Sequence, residues 1–350
     1  MKAGTPGRER SRLRSQALLG LLCLASCGRW GYTWVSPFDD GAVIPRDSLG
    51  VDAGDLERDG GPGVPPPGTA DAGGAPGEPV RCAQFGLFGT PELLRGVGQT
   101  LPFSPALSAD GLLLVFGAGA PGDLFLASRT SAGSLEFSAA TALREVNTAA
   151  TEVTPSWSAD ALTLFFATDR QGVLPPRDLM QATRTDRDAD FGAPSLLLEL
   201  NSLWTENLPH QSQDGREFFF TSDRPGGLLG MDIWRAQRDD VGQSFSNVAP
   251  VSELNSSFDD SGAALSADAL HIVFTSERTG GPGGRDLWSS QRSDRRSPFA
   301  APSNVVELNS GGDDADAALS SDGTELIFAS DRAGTRELWR ALRSCVTPAF

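Results

Sequence analysis

Five Ser-x-Asp turns recur along the chain: Ser108-Ala109-Asp110, Ser158-Ala159-Asp160, Ser212-Gln213-Asp214, Ser266-Ala267-Asp268 and Ser320-Ser321-Asp322. Their aspartates stand 50, 54, 54 and 54 residues apart. Such a period restricts the fold to a propeller or another repeat array, because one unit cannot bury its apolar face without its neighbours. The third unit is the clearest. Leu208 to Ser212 reads as an extended run into the turn Gln213-Asp214-Gly215, where Asp caps local N–H groups and Gly accepts positive φ. Glu217 to Thr221 is β-prone and apolar enough to be buried on both faces. A breaker-rich loop, Ser222 to Gly227, follows, and Asp232 to Arg238 alternates apolar and polar as a half-buried strand does. Phe245 to Leu254 supplies a fourth, more solvated strand, and nothing longer than a turn reads as a helix. The expectation is an all-β, five-bladed propeller of four-stranded blades.

The phrase Pro-x-x-Ser-x-Asp-Gly, an aromatic strand, Ser-Asp-Arg and then Asp-Ile-Trp together resemble the WD40-like β-propeller repeat of the TolB type. Glu-Leu-Asn-Ser also precedes three units, at 199–202, 253–256 and 307–310, and a similar phrase occurs in related repeats of cell-envelope lipoproteins and OmpA-associated proteins. The resemblance covers roughly residues 85–343. Unit one departs from it with Gly117-Ala118-Gly119-Ala120 in place of Ser-Asp-Arg; Glu277 and Glu337 replace aspartates in units four and five. These motifs imply a blade and no particular reaction.

The last unit stops after its third strand, at Arg343, while Phe85 to Leu94 resembles the outer-strand segment Phe191 to Leu197. The N-terminal strand is therefore expected to complete the fifth blade and remove the open edges. Cys82 and Cys345 occupy positions equivalent to Gly242 and Asp240, neighbours in one hairpin of unit three, so a Cys82–Cys345 disulfide is expected to close the ring.

Residues 1–26 have the layout of a signal peptide: Lys2, Arg8, Arg10, Arg12 and Arg14 precede a short apolar run, Ala17 to Leu24. The run ends in Leu24-Ala25-Ser26-Cys27, which resembles a bacterial lipobox and implies lipidation of Cys27. Residues 27–80, rich in Gly, Pro and Asp, read as a disordered tether, and residues 81–350 as the propeller. Asp52, Asp55, Glu57 and Asp59 do not match a calcium loop and read as solvated linker charge. Loss of the leader leaves 24 basic against 44 acidic residues, a net charge of −20 where the whole chain carries −16. That charge argues against nucleic acid as a partner. The expected setting is the bacterial cell envelope, with a monomer attached to the membrane through its lipid alone.

Glu152, Glu206, Asp260 and Asp314 each stand eight residues before a turn aspartate; unit one has Pro102 there. They are expected around one mouth of the channel, beside Asp169, Asp223, Glu277 and Asp331 and the arginines Arg170, Arg224, Arg278 and Arg332. Such a ring of oxygen ligands suits Ca²⁺ or a cationic peptide, and Asp259, Asp313 and Asp316 add to it. The structural alternative is that each acid caps its own loop or pairs with an arginine. Neither His210 nor His271 has a metal-ligand spacing, and no nucleophile elbow, P-loop or dinucleotide fingerprint is present. Trp234, Trp288 and Trp339, with Met180 and Phe125 at equivalent places, read as packing between blades. The functional expectation is a non-enzymatic scaffold binding an envelope protein or cell-wall component. The alternatives are a hydrolase or lyase at the acidic mouth and a calcium-dependent adhesion module.

Overall fold

The most apolar segments of the repeat, such as Phe218-Phe219-Phe220, cannot face water on either side, so each must lie inside a stack of sheets. The computed structural model of the chain describes residues 82, 84–170 and 177–346. The expected signal peptide, Cys27 and the tether to residue 80 lie outside the described residues. The described chain opens with β1 (Gln84–Phe88) and β2 (Glu92–Leu93). A first blade follows: β3 (Phe103–Leu107), β4 (Leu113–Ala118), β5 (Asp123–Ser128) and β6 (Thr141–Ala142). The second is β7 (Glu152–Trp157), β8 (Thr163–Thr168), β9 (Asp178–Thr183) and β10 (Ser195–Leu196). The third is β11 (Glu206–Gln211), β12 (Glu217–Ser222), β13 (Asp232–Gln237) and β14 (Ser246–Pro250). The fourth is β15 (Asp260–Leu265), β16 (His271–Ser276), β17 (Asp286–Gln291) and β18 (Ser303–Asn304). The chain returns through β19 (Asp314–Leu319), β20 (Glu325–Ser330) and β21 (Glu337–Val346).

The first four sheets keep sequence order, and the fifth joins β19, β20 and β21 to both β1 and β2. This is the expected five-bladed propeller. The strands β3, β7, β11, β15 and β19 adjoin one another in a ring and line its channel. The outer strands are shorter than expected. Phe245 to Leu254 is strand only over Ser246–Pro250, because Leu254 and Asn255 turn back to donate to the Val251 carbonyl.

The core is not central but lies between blades. Val153, Phe165 and Leu179 of the second blade pack against Phe218, Phe220 and Trp234 of the third. The fourth–fifth contact joins Val273 and Leu287 to Phe328 and Ala341. A single blade would leave these side chains in water, the physical reason for a closed array.

The Ser-x-Asp turns explain their own recurrence. In every blade the serine hydroxyl donates to the aspartate, as Ser108 does to Asp110 Oδ1 at 2.6 Å, and accepts the N–H five residues on. Burial alone would raise the carboxyls of Asp110, Asp214 and Asp322. Their hydroxyl and N–H donors, with an arginine at Asp110 and Asp214, outweigh it and hold them below the usual range. Their stabilising contribution is present above the ordinary carboxylate pKa and is lost only as pH falls through the lowered values.

One arginine per blade ties this turn to the outer segment. Arg129, Arg184, Arg238 and Arg292 donate through Nε to the carbonyls of Gly111, Ala161, Gly215 and Ala269. Their guanidinium groups stack on Phe137, Phe191, Phe245 and Phe299. In the fifth blade Arg343 bonds Gly323 in the same way and stacks on Phe85, 3.8 Å from its centroid. Arg343 also stacks on Phe88, which is buried and fills the place of Phe191 from the opposite end of the chain. Gly89 N–H donates to the Leu342 carbonyl as Gly192 N–H does to that of Thr183, and Phe88 N–H donates to Glu307 as Phe299 N–H does to Glu253. Leu93 pairs with Trp339 as Leu196 pairs with Met180, each five residues after its phenylalanine, and Phe85 lies beyond a bulge as an additional aromatic on Arg343. Cys82 and Cys345 are bonded, with Cα atoms 5.3 Å apart, so the expected closure and disulfide are both present.

Gly323 is left-handed (φ 73), and an added Cβ would lie 2.6 Å from the Phe85 ring that Arg343 holds. Gly323→Ala is therefore expected to cost about 1–2 kcal/mol, from left-handed strain plus the clash. Urea unfolding would measure it, and an unchanged midpoint would mean that Phe85 is not held in the ring.

Candidate functional site

The inner strands of blades two to five start with the four acids singled out above. Each of Glu152, Glu206, Asp260 and Asp314 is wholly buried (0 % exposed) and engaged within its own blade. Glu206 is representative. It accepts from the Ser202 N–H (3.0 Å) and hydroxyl (2.6 Å), from the Ser222 hydroxyl (3.1 Å) and from Arg224 Nη2 (2.7 Å). Glu152 meets Thr148, Thr168 and Arg170 in the same way. Asp260 meets Ser256 and Arg278, and Asp314 meets Ser310 and Arg332. Each arginine also bonds the carbonyl of Val146, Leu200, Leu254 or Leu308 and stacks on a strand phenylalanine. In blades three to five it lies against Trp234, Trp288 or Trp339 as well. The result is a four-fold latch between the start of the inner strand and the loop after the second strand.

Glu-Leu-Asn-Ser is the rest of this latch. The Asn side chains of Asn147, Asn201, Asn255 and Asn309 bracket the backbone of Leu124, Leu179, Ile233 and Leu287, accepting N–H and donating to C=O. The second set of acids behaves differently. Asp169, Asp223 and Asp331 each accept one backbone N–H, from Thr151, Thr205 and Asp313, at 2.8–2.9 Å. Asp169, Asp223 and Glu277 remain exposed on that face. Asp313 is bound by Arg285 and Arg336, whereas Asp259 accepts the Met231 N–H. Burial holds Asp232, at the start of β13, above the usual carboxylate range, and neighbouring Asp260 and Asp259 add to the shift. No three His, Cys, Asp or Glu side chains among the described residues are placed to hold a metal ion.

The channel holds a set of residues that repeat arithmetic did not bring together. At one equivalent position on every inner strand the backbone is left-handed: Ser104, Thr154, Leu208, Gly262 and Asp316, with φ of 44, 51, 49, 67 and 57°. Four of the five are not glycine, so left-handed strain is maintained at four of the five inner strands. Each kink coincides with a register shift against the second strand. Beside them is a cavity of about 70 Å³ reached by Ser104, Thr154, Ser156, His210 and Asp316. A second, of about 60 Å³, lies toward the Ser-x-Asp turns, and Leu107, Trp157, His210 and Leu319 border both. Among the described residues Asp316 is the one carboxylate on either cavity, and it accepts the Ser104 hydroxyl at 3.0 Å. Ser156 is 4 % exposed, and its Oγ has no hydrogen-bond partner among the described residues.

His210 lies deep inside the ring, although one edge of it meets channel space. Burial lowers its pKa to about 4, so the imidazole is neutral at pH 7, with Nε2 accepting the Leu265 N–H at 3.3 Å. A histidine depressed in the fold binds its proton more readily when unfolded. Its stabilising contribution is complete above pH 6.5 and is lost as pH falls from there toward 4. His210→Gln should flatten the melting-temperature profile over that window and leave the loss below pH 4 in place. An unaltered slope would show that the ring is protonated without penalty.

Sequence reading grouped Asp316 with the mouth acids rather than with the channel, and it held the acid–arginine pairing only as the structural alternative, which the four pairs bear out. A signal for the latter was present: Glu152–Arg170, Glu206–Arg224, Asp260–Arg278 and Asp314–Arg332 are all 18 residues apart. Unit one lacks both members, carrying Pro102 and Ala120.

No protein-family model and no curated protein matches the chain. Several solved structures are similar to it. A putative TolB from Agrobacterium tumefaciens is 19 % identical, over 66 % of this chain and 70 % of that one, with a TM-score of 0.42. TolB from Acinetobacter baumannii is 16 % identical over 70 % of this chain, at a TM-score of 0.42, and the chain spans 55 % of its length. An α-L-arabinofuranosidase from Lactobacillus brevis is 10 % identical, over 71 % of this chain and 92 % of that one, at a TM-score of 0.49. At these identities the likeness concerns the path of the chain and extends to no site.

Proposed function

We propose that this chain is a non-enzymatic scaffold of the bacterial cell envelope. Lipid on Cys27 and the tether through residue 80 carry the propeller. The face where the inner strands begin, with Asp169, Asp223 and Asp331 on it, meets an envelope protein or cell-wall component. The observation that supports this reading is the state of the four ring acids. They are buried and spent on latches, which leaves Asp316 as the one carboxylate on the channel cavities among the described residues. Hydrolysis of a glycosidic bond by general acid–base chemistry calls for two carboxylates across the reacting atom. A calcium-dependent module likewise needs several free oxygen ligands converging on one point.

The rival reading, a hydrolase or lyase, has one observation in its favour: Ser104, Ser156, His210 and Asp316 share a cavity. The two are separated by incubating the purified full chain with peptidoglycan, chromogenic glycosides and polyuronate. The scaffold reading expects product formation no greater than with Asp316→Asn. Turnover that Asp316→Asn or His210→Gln abolishes would overturn it.

A further inference from the structure

The repeated units serve as controls for one another. Two residues after the latch hydroxyl, one backbone N–H returns to that hydroxyl in each of blades two to five, at 3.1–3.2 Å. The residues there are Ala150, Trp204, Phe258 and Gly312. Alanine and glycine build the same turn, so the turn does not require the indole or the phenyl ring. Yet Trp204 is 45 % and Phe258 41 % exposed, and Leu203 beside the indole is 76 % exposed. Between these two turns runs the loop joining β12 and β13. It carries Leu228 and Leu229, 57 % and 70 % exposed, where blade four has Pro282 and Gly283. The loop is fixed on both sides: Thr205 N–H donates to Asp223 and Met231 N–H to Asp259, each at 2.9 Å. The five apolar side chains thus stand on three adjoining segments of one face, over the third blade.

Acids flank this patch. Asp223, Asp259 and Glu277 form no ion pair among the described residues, in contrast to the latch acids and to Asp313. Where blade four uses Arg285 to neutralise Asp313, blade three has Met231. Exposed apolar surface flanked by unneutralised carboxylates is complementary to a segment with an apolar stripe and Lys or Arg beside it.

We propose that this face, over the third blade, docks a cationic amphipathic segment of a partner protein. Its apolar residues rest on Trp204, Phe258 and the three leucines, and its cations lie near Asp223, Asp259 and Glu277. This deepens the scaffold reading and rests on it. A second copy of the chain would set the same acids against each other across a symmetric contact. An anionic bilayer would be repelled by them.

The test uses the purified full chain carrying Cys27→Ser, so that no lipid contributes. A fluorescent peptide of about 18 residues with Leu and Lys at helical spacing is titrated by anisotropy. Counterparts with Glu for Lys and with Ser for Leu are run beside it. The expected result is saturable binding of the Leu/Lys peptide alone, weakened by added salt and about tenfold or more weaker in Trp204→Ala and in Leu229→Ser. Trp204→Ala places at 204 the residue blade two already has, and equal melting temperatures would show that the fold is kept. Absence of saturable binding overturns the inference, as does equal affinity in both variants. So does binding to phosphatidylglycerol vesicles, or self-association, that Trp204→Ala removes. Failure of the peptide with no turnover in the hydrolysis assay removes this inference and leaves the scaffold reading. Turnover dependent on Asp316 removes that reading itself.

Discussion

Cys345→Ser is expected to lower the melting temperature by about 10–20 °C, the largest effect of any single substitution considered. The bridge joins residues 263 positions apart. In the chain-entropy model a loop of that size is worth about 5 kcal/mol, and each kcal/mol moves the midpoint of a domain this large by about 2–4 °C. The native side points the same way. Phe85, paired with Cys345 in the β1–β21 ladder, is one of the two aromatics, with Phe88, on which Arg343 stacks in the fifth blade. Loss of the bridge therefore frees the ends and loosens that contact together. Reductant should produce the same fall in the unaltered protein and no further fall in the variant, followed by differential scanning calorimetry. A shift below about 3 °C would mean that the pairing of β1 and β2 with β21 suffices to close the ring.

Arg224→Met should cost about 3–5 kcal/mol, because it leaves the Glu206 carboxylate inside the fold without a counter-charge. Glu206 is 0 % exposed, whereas the Arg224 side chain keeps 12 % of its surface in contact with water. The reverse removal, Glu206→Gln, should thus cost less, since the stranded cation is partly hydrated. The double variant should be more stable than the sum of the single losses implies, with a coupling energy of about 1–3 kcal/mol. Urea unfolding of the full cycle measures all three. Single losses under about 1 kcal/mol would place this latch with ordinary surface pairs. Blade one shows that the ring tolerates an uncharged solution, with Pro102 and Ala120 at the two positions.

Blade count, strand types and closure were legible in the sequence because they are properties of period and register. Ser-x-Asp recurs since a hydroxyl, a carboxylate and two N–H groups complete one turn, and that chemistry is local. The likeness of the N-terminal segment to residues 191–197 was readable for a related reason, the same arginine position waiting in each unit, although the residue that takes the place of Phe191 is Phe88 and not Phe85. The fate of Glu152, Glu206, Asp260 and Asp314 was less readable. A recurring acid announces a recurring role, but the direction of its oxygens depends on an arginine on another strand. The channel residues were hidden for the opposite reason. Ser104, Thr154, Leu208, Gly262 and Asp316 share a backbone conformation and no side-chain chemistry, so no motif marks them. Trp204 and Phe258 stood out only when the structure showed what their counterparts Ala150 and Gly312 do.

The position of the Cys82–Cys345 bond also decides how the propeller meets mechanical force. Tension on the chain ahead of Cys82 would, without the bond, act first on β1 and then on β2, peeling each from β21 a few hydrogen bonds at a time. With the bond in place the tension bypasses both strands and enters β21 at Cys345, where β21 pairs with β20 from Ser330↔Glu337 to Glu325↔Leu342. Six backbone pairs then share the pull along their length. Under a pull on its N-terminal side the bridged protein would thus yield through the β20–β21 ladder, while its reduced form would fray first at β1 and β2.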